Sequence, residues 1–236
     1  MRGTRHRRLR RAAEVVAGGV GAAALGYAAL AAGTWVRYRR NGARSAREGV
    51  DLLDEFMPVW EVAERHAVQV AAPAHATFAA ARGLDINRSR LVRALFAARS
   101  LPARLQGEIE PREPQSLVDE TLAIGWRILA EVPGRLLIMG AATRAWEKRV
   151  AFRGIAPRAF AAFDKPGYVK IVWTLEAEPL GRDRSRFITR TRVVATDDAA
   201  RRQFRRYWSL VSPGVRLIRR ATLGLVKRDA ERRWRK

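Results

Sequence analysis

Glu64 and His66 stand two residues apart in Glu61 to Val70, where alternate residues share a strand face, so both side chains leave the same face as Val62, Val68 and Val70. A carboxylate and an imidazole on an apolar surface can orient the polar end of a ligand or exchange a proton with it. The plainer reading is that the strand ends are open to water, or that a neighbouring strand satisfies the pair. The other histidines offer less. His6 lies in a basic tail, and His75 has Ala79 rather than a second ligand at i+4, so no metal site is expected. With no cysteine in 236 residues, a disulfide scaffold, a thiol nucleophile, a zinc ribbon and an iron–sulfur site are excluded. A Gly-rich phosphate loop, an HExxH helix, a nucleophile elbow and an EF-hand loop are absent too. Gly18-Gly19-x-Gly21 lacks the preceding strand that a dinucleotide fingerprint needs, and no cofactor is expected.

The elements that must position this pair follow from periodicity. Ala72-Pro73 stops the first strand, Ala74 to Arg82 reads as a short helix closed by Gly83, and Ser89 to Ala98 as a second. Leu101 to Pro114 reads as a loop. Trp126, Ile128, Ala130 and Val132 alternate, Pro133-Gly134 marks a hairpin turn, and Arg135 to Ala142 continues as an apolar strand. Thr143 to Pro166 has no clear period. Tyr168 to Glu178 places Val169, Ile171, Trp173, Leu175 and Ala177 together, and in Ser185 to Ala195 Phe187, Thr189, Thr191 and Val193 oppose Ile188, Arg190, Arg192 and Val194. Thr196 or Asp197 caps a final helix with Phe204, Trp208, Val211, Val215 and Ile218 on one face and Arg202, Arg205, Arg206, Arg216 and Arg220 on the other. Pro213-Gly214 should kink or divide that helix. Strand, two small helices, antiparallel strands and a terminal helix make an α+β chain whose strands curl around the last helix. Trp126, Trp173, Phe204 and Trp208 are core or ligand-lining, and Thr189 and Thr191 are candidate hydroxyls for a ligand.

Charge is concentrated at the ends. The chain has 46 Lys+Arg against 23 Asp+Glu; residues 1–50 carry +9, residues 51–196 +5 and residues 197–236 +9. Between the arginines of the N-terminal region, residues 15–36 hold no charge, and as helix these 22 residues would reach about 33 Å, against a hydrocarbon core of about 30 Å. We read a single transmembrane helix there, with Tyr27, Trp35 and Tyr38 as interfacial rings. Thirteen of its residues are Ala or Gly, which makes insertion marginal, although Gly18, Ala22 and Gly26 permit close helix packing. A signal peptide cleaved near Ala29-Leu30-Ala31, a transit peptide and a soluble Ala-rich helix are the alternatives. Arginine on both flanks nearly cancels the positive-inside rule, so a single-pass membrane location is expected with undetermined orientation. The basic face of the last helix reads as a solvated surface, a second membrane contact or a nucleic-acid contact.

The residues also carry a resemblance. Glu64-Arg65-His66, Ala72-Pro73, Leu101-Pro102, Thr189-Arg190-Thr191-Arg192-Val193, Ala200-Arg201-Arg202, Phe204, Tyr207-Trp208, Pro213 and Ile218-Arg219 resemble bacterial members of the START-like, helix-grip superfamily known as SRPBCC (polyketide cyclase-like) over roughly residues 58–231. The resemblance implies an antiparallel sheet gripping the C-terminal helix, with an apolar cavity that in relatives holds lipids, sterols or polyketides. Arg190 departs from an acid at that place, and no residues match a polyketide-cyclase or ring-dioxygenase active site. The expected organisation is a basic tail (1–14), the transmembrane helix (15–36), a linker (37–57), the helix-grip domain (58–231) and a basic end (232–236). Its expected function is to bind an apolar or amphipathic small molecule, such as a lipid or a polyketide-like compound, through Glu64, His66, Trp126, Trp173, Thr189, Thr191, Phe204 and Trp208. An enzyme of the cyclase or dehydratase type using Glu64 and His66, and a basic nucleic-acid-binding protein, are the competing functions.

Overall fold

Strand β3 (Val62–Val70) shows its origin in its burial: Val62, Glu64 and Val70 are buried, His66 and Val68 half-buried, and the intervening Ala63, Arg65, Ala67 and Gln69 exposed. The computed structural model describes residues 26–34, 44–45, 51–85 and 116–235. Before β3 come helix α1 (residues 26–34), strand β1 (Arg44–Ser45), helix α2 (Leu52–Phe56) and strand β2 (Val59–Trp60), which pairs with β1. After it come α3 (Ala74–Arg82), α4 (Leu117–Ala123), β4 (Arg127–Val132), β5 (Leu136–Thr143), β6 (Phe152–Arg153), α5 (Pro157–Phe160), β7 (Val169–Pro179), β8 (Ser185–Ala195) and α6 (Asp198–Trp234).

The main sheet is antiparallel throughout, in the order β3-β8-β7-β5-β4 with β6 beside β5. One face meets α3 and α6. Val70, Met139, Leu175 and Phe187 pack there with Phe78, Leu223 and Val226, and Val62, Val169 and Val193 pack with Phe204 and Trp208. The other face is covered by α2 and α5, which bury Leu53, Met57 and Phe160 against Ile138, Val172 and Ala142. Asp51 caps α2 by accepting from the Leu53 N–H, and Asp197 caps α6 by accepting from the Ala200 N–H at 2.7 Å.

The expected strand faces of β3, β7 and β8 are found, and so is the helix closed by Gly83. Two readings are corrected, and one helix is added. Trp126, Ile128, Ala130 and Val132 do not share a face, because the register shifts between Ile128 and Ala130, and Leu129 and Ala130 join the core of the opposite side. A helix, α4, precedes β4; Ser116 caps it by accepting from the Asp119 N–H. The proline does not divide α6, which runs 37 residues with Pro213 inside. Among the described residues no helix is long and apolar enough to cross a membrane. Residues 15–25 and 35–36 of the expected transmembrane helix, the helix at Ser89 to Ala98 and the loop at Leu101 to Pro114 lie outside the described residues.

Candidate functional site

Along α6, steps of three and four residues connect Ala200, Phe204, Trp208, Ser212, Arg216, Arg219, Leu223, Val226 and Ala230. Both ends of this line are apolar and buried; its middle is Ser212, Arg216 and Arg219. From Pro213 to Thr222 no residue of the helix is fully buried. The helix is therefore clamped to the sheet by two apolar clusters, and between them it presents polar groups.

The sheet answers with polar groups at the same level. Register places Glu64 beside Thr191 and Thr191 beside Trp173, while His66 lies beside Thr189. Arg216 Nε donates to Glu64 Oε1 at 3.1 Å, and Arg219 Nη2 donates to Thr191 Oγ1 at 2.6 Å. The Trp173 indole N–H donates to Thr189 Oγ1 at 2.7 Å. Two polar atoms in this region are buried without a hydrogen-bond partner among the described residues: His66 Nδ1 and the Ser212 hydroxyl. Buried polar atoms nearly always find partners, because leaving one dry costs about 1–3 kcal/mol. A bound water or ligand group within hydrogen-bond reach would satisfy either atom.

Burial, and next the Arg219 guanidinium, push the His66 pKa below its ordinary value; Arg216 and Arg220 act in the same direction, and Glu64 opposes them. The imidazole is consequently neutral at neutral pH, with one nitrogen to accept and one to donate.

The sequence-derived candidates fall in three places. Glu64, His66, Trp173, Thr189 and Thr191 gather in the polar middle. Phe204 and Trp208 stack at 5.7 Å in the apolar cluster at one end, where they serve as wall and core. Trp126 lies at the sheet margin, 5.5 Å from Phe152, and lines an open groove of about 640 Å³ with Leu122, Ile128, Gly154 and Pro157. This groove lies beside β4 and β6 rather than centrally under α6.

Arg216, Arg219 and Ser212 were missed. Sequence reading put Arg216 on the solvent side of α6, whereas it faces Glu64. The available signal was the three- and four-residue run from Trp208 to Leu223, which continues through them without a break.

Arg190 and Arg192, on the outer face of β8, have another explanation. Arg190 pairs with Asp51 and, at 2.8 Å, with Glu176; Arg192 pairs with Asp54, donates to the Met57 carbonyl at 3.0 Å and lies 3.8 Å from the centroid of the Trp60 ring. The acids for Arg190 come from the segment lying over it, through Asp51, and from the neighbouring strand, through Glu176.

Among the described residues no group of His, Asp and Glu is arranged to hold a metal ion. No family model matches the sequence, and no curated protein matches it. Solved structures that it matches include the Zhui aromatase/cyclase from Streptomyces sp. R1128, at 17% identity and a TM-score of 0.28 over 73% of this chain and 94% of that one. Another is the di-domain ARO/CYC BexL, at 16% identity and a TM-score of 0.28 over 72% of this chain and 46% of that one. A third is norcoclaurine synthase from Thalictrum flavum in complex with dopamine and hydroxybenzaldehyde, at 13% identity and a TM-score of 0.28 over 80% and 94%. What the site does is argued from its own residues.

Proposed function

We propose that this chain is a membrane-anchored binding domain for an apolar or amphipathic small molecule, lodged between the sheet and the middle of α6. The observation that supports this reading is the polar gap in an otherwise apolar seam. Phe204 and Trp208 close one end, Leu223 and Val226 the other, and Glu64, His66, Thr189, Thr191, Arg216 and Arg219 face one another between them. Small-molecule sites have this composition: apolar walls for affinity, and a few placed polar groups for orientation. A seam selected only for stability would continue its leucines and valines through this stretch, since an apolar core of the same shape is at least as stable as a polar one.

Binding, rather than catalysis, accounts best for the pairing. Glu64 Oε1 is already engaged by Arg216 at 3.1 Å, which holds the carboxylate in place as an orienting group. His66 alone retains an acceptor nitrogen, which suits holding a hydroxyl or phenol. A cyclase or dehydratase reading survives on that one group and predicts that His66→Ala abolishes turnover while leaving the fold intact; unchanged turnover would remove it. For the binding reading, the full chain in detergent or nanodiscs is titrated with a panel of lipids, sterols and polyketide-like aromatics while tryptophan emission and thermal midpoint are followed. At least one class should give a saturable change that is weakened in Thr191→Val. No saturable response to any of them would overturn the proposal.

A further inference from the structure

Tyr27 is the thirteenth of the 22 uncharged residues 15–36, and thus near their midpoint. Its hydroxyl donates to the carbonyl of Leu210 on α6. That carbonyl lies in the turn preceding Pro213, next to the Ser209 carbonyl that the missing proline N–H leaves without its helix donor. Beside it α6 carries an apolar stripe that faces outward, away from the sheet: Leu210 is 62% exposed and Leu217 46%, with Pro213 and Gly214 between them. Exposed Arg206 lies at one end of this stripe and exposed Arg228 at the other. Helix α1 extends the same surface with Tyr27 43% and Leu30 59% exposed.

These facts conflict with a helix that crosses the bilayer. The midpoint of a spanning segment would sit about 15 Å below either surface of a hydrocarbon core about 30 Å thick, beyond the reach of a domain in water. A Tyr27 bonded to α6 has to stay at the level of α6. We infer that α1 lies in the plane of an anionic bilayer, and that the Leu210–Leu217 stripe of α6 beds into the headgroup layer beside it. Arginines bordering an apolar strip on a surface helix suit this position, the apolar groups entering the acyl boundary while the guanidiniums meet lipid phosphates. The charge of residues 197–236 is +9, which suits an anionic surface.

The inference rests on the membrane-anchoring part of the proposed function and not on the ligand. Because the chain has no cysteine, single-cysteine variants report position directly. The full-length chain is diluted from detergent onto preformed sealed vesicles of phosphatidylcholine and phosphatidylglycerol, so that its folded domain stays outside. An environment-sensitive fluorophore on Leu210→Cys or Leu217→Cys should shift to the blue and be quenched by spin-labelled lipid, more strongly as phosphatidylglycerol is increased. On Arg182→Cys, in the exposed β7–β8 turn, it should keep its aqueous spectrum. Thr4→Cys should react with a membrane-impermeant maleimide before any vesicle is opened. A Thr4→Cys protected until detergent is added would restore the spanning helix and overturn the in-plane arrangement while leaving the anchor in place. Aqueous spectra at positions 210 and 217 would likewise overturn it. A blue shift that grows with protein concentration without vesicles would assign the stripe to a second copy of the chain. Failure to float with vesicles would remove anchor and inference together.

Discussion

Strand β8 presents two sets of polar residues on its two faces, and they are treated oppositely. Outward, Arg190 and Arg192 are met by Asp51, Asp54 and Glu176, with a carbonyl and an indole face added. Inward, Thr189 and Thr191 lie in a neighbourhood where His66 Nδ1 and the Ser212 hydroxyl are buried without a partner among the described residues. On the outer face each of these guanidiniums has an acid, although Arg190 Nε is itself buried without a hydrogen-bond partner among the described residues. The paired guanidiniums fasten α2 to the sheet, whereas the leftover donor and acceptor inside are groups that a ligand, under the proposed function, would complete. Polarity inside a fold is therefore no sign of function by itself.

Substitutions can break this contrast, and the largest effect belongs to the apolar clamps. Trp208→Ala, which empties the cluster around Phe204, should cost about 3–5 kcal/mol in urea denaturation. Ser212→Ala, one turn further along α6 and equally enclosed, should be neutral or slightly stabilising because it removes a buried hydroxyl with no partner. A large loss at Ser212 would show that the middle of the seam is structural after all. Next comes Arg192→Met, which strands Asp54 under the outer face and should cost about 2–3 kcal/mol by the same measurement while leaving ligand affinity unchanged. Smaller again in stability is Thr191→Val: it should move the denaturation midpoint by less than about 1 kcal/mol yet weaken ligand binding about tenfold, since it removes the hydroxyl that positions Arg219.

The smallest effect is one of pH. Burial and Arg219 lower the folded pKa of His66 below its ordinary 6.5, so above that value the ring is neutral in both states and its contribution to stability is fully present. As pH falls below about 6.5, the unfolded chain takes up a proton that the folded chain refuses, and stability declines until the lowered pKa is reached. Denaturation midpoints from pH 7.5 to 4.5 should show this acid limb, and His66→Gln should flatten it. An unchanged limb in the variant would assign the effect to other groups.

Much of the architecture was legible because it rests on local rules. Two-residue alternation gave the faces of β3, β7 and β8, and Gly83 and Asp197 marked helix ends by backbone chemistry alone. The bulge in β4 was not legible, since a single shifted pair leaves the sequence as regular as before and only the partner strand reveals it. The sheet half of the polar middle could be read from Glu64, His66, Thr189 and Thr191. Its helix half was masked, although the run from Trp208 to Leu223 passes through it, because an arginine on an amphipathic helix is ordinarily a solvent residue and Glu64 across the seam is what holds Arg216 inward. Arg190 was likewise ambiguous until α2, distant in sequence, was seen lying over it with Asp51.

The central claim is tested most directly by nuclear magnetic resonance of the full chain in nanodiscs. The side-chain nitrogens of His66 and the indole N–H of Trp173 would be assigned through His66→Gln and Trp173→Phe, then followed as a bound lipid, sterol or aromatic is added. A ligand seated against the middle of α6 should shift the His66 Nδ1 and Trp173 signals saturably and leave His75 unmoved. Saturable shifts confined to Trp126, beside the open groove, with His66 and Trp173 unchanged, would place the ligand elsewhere and contradict the account.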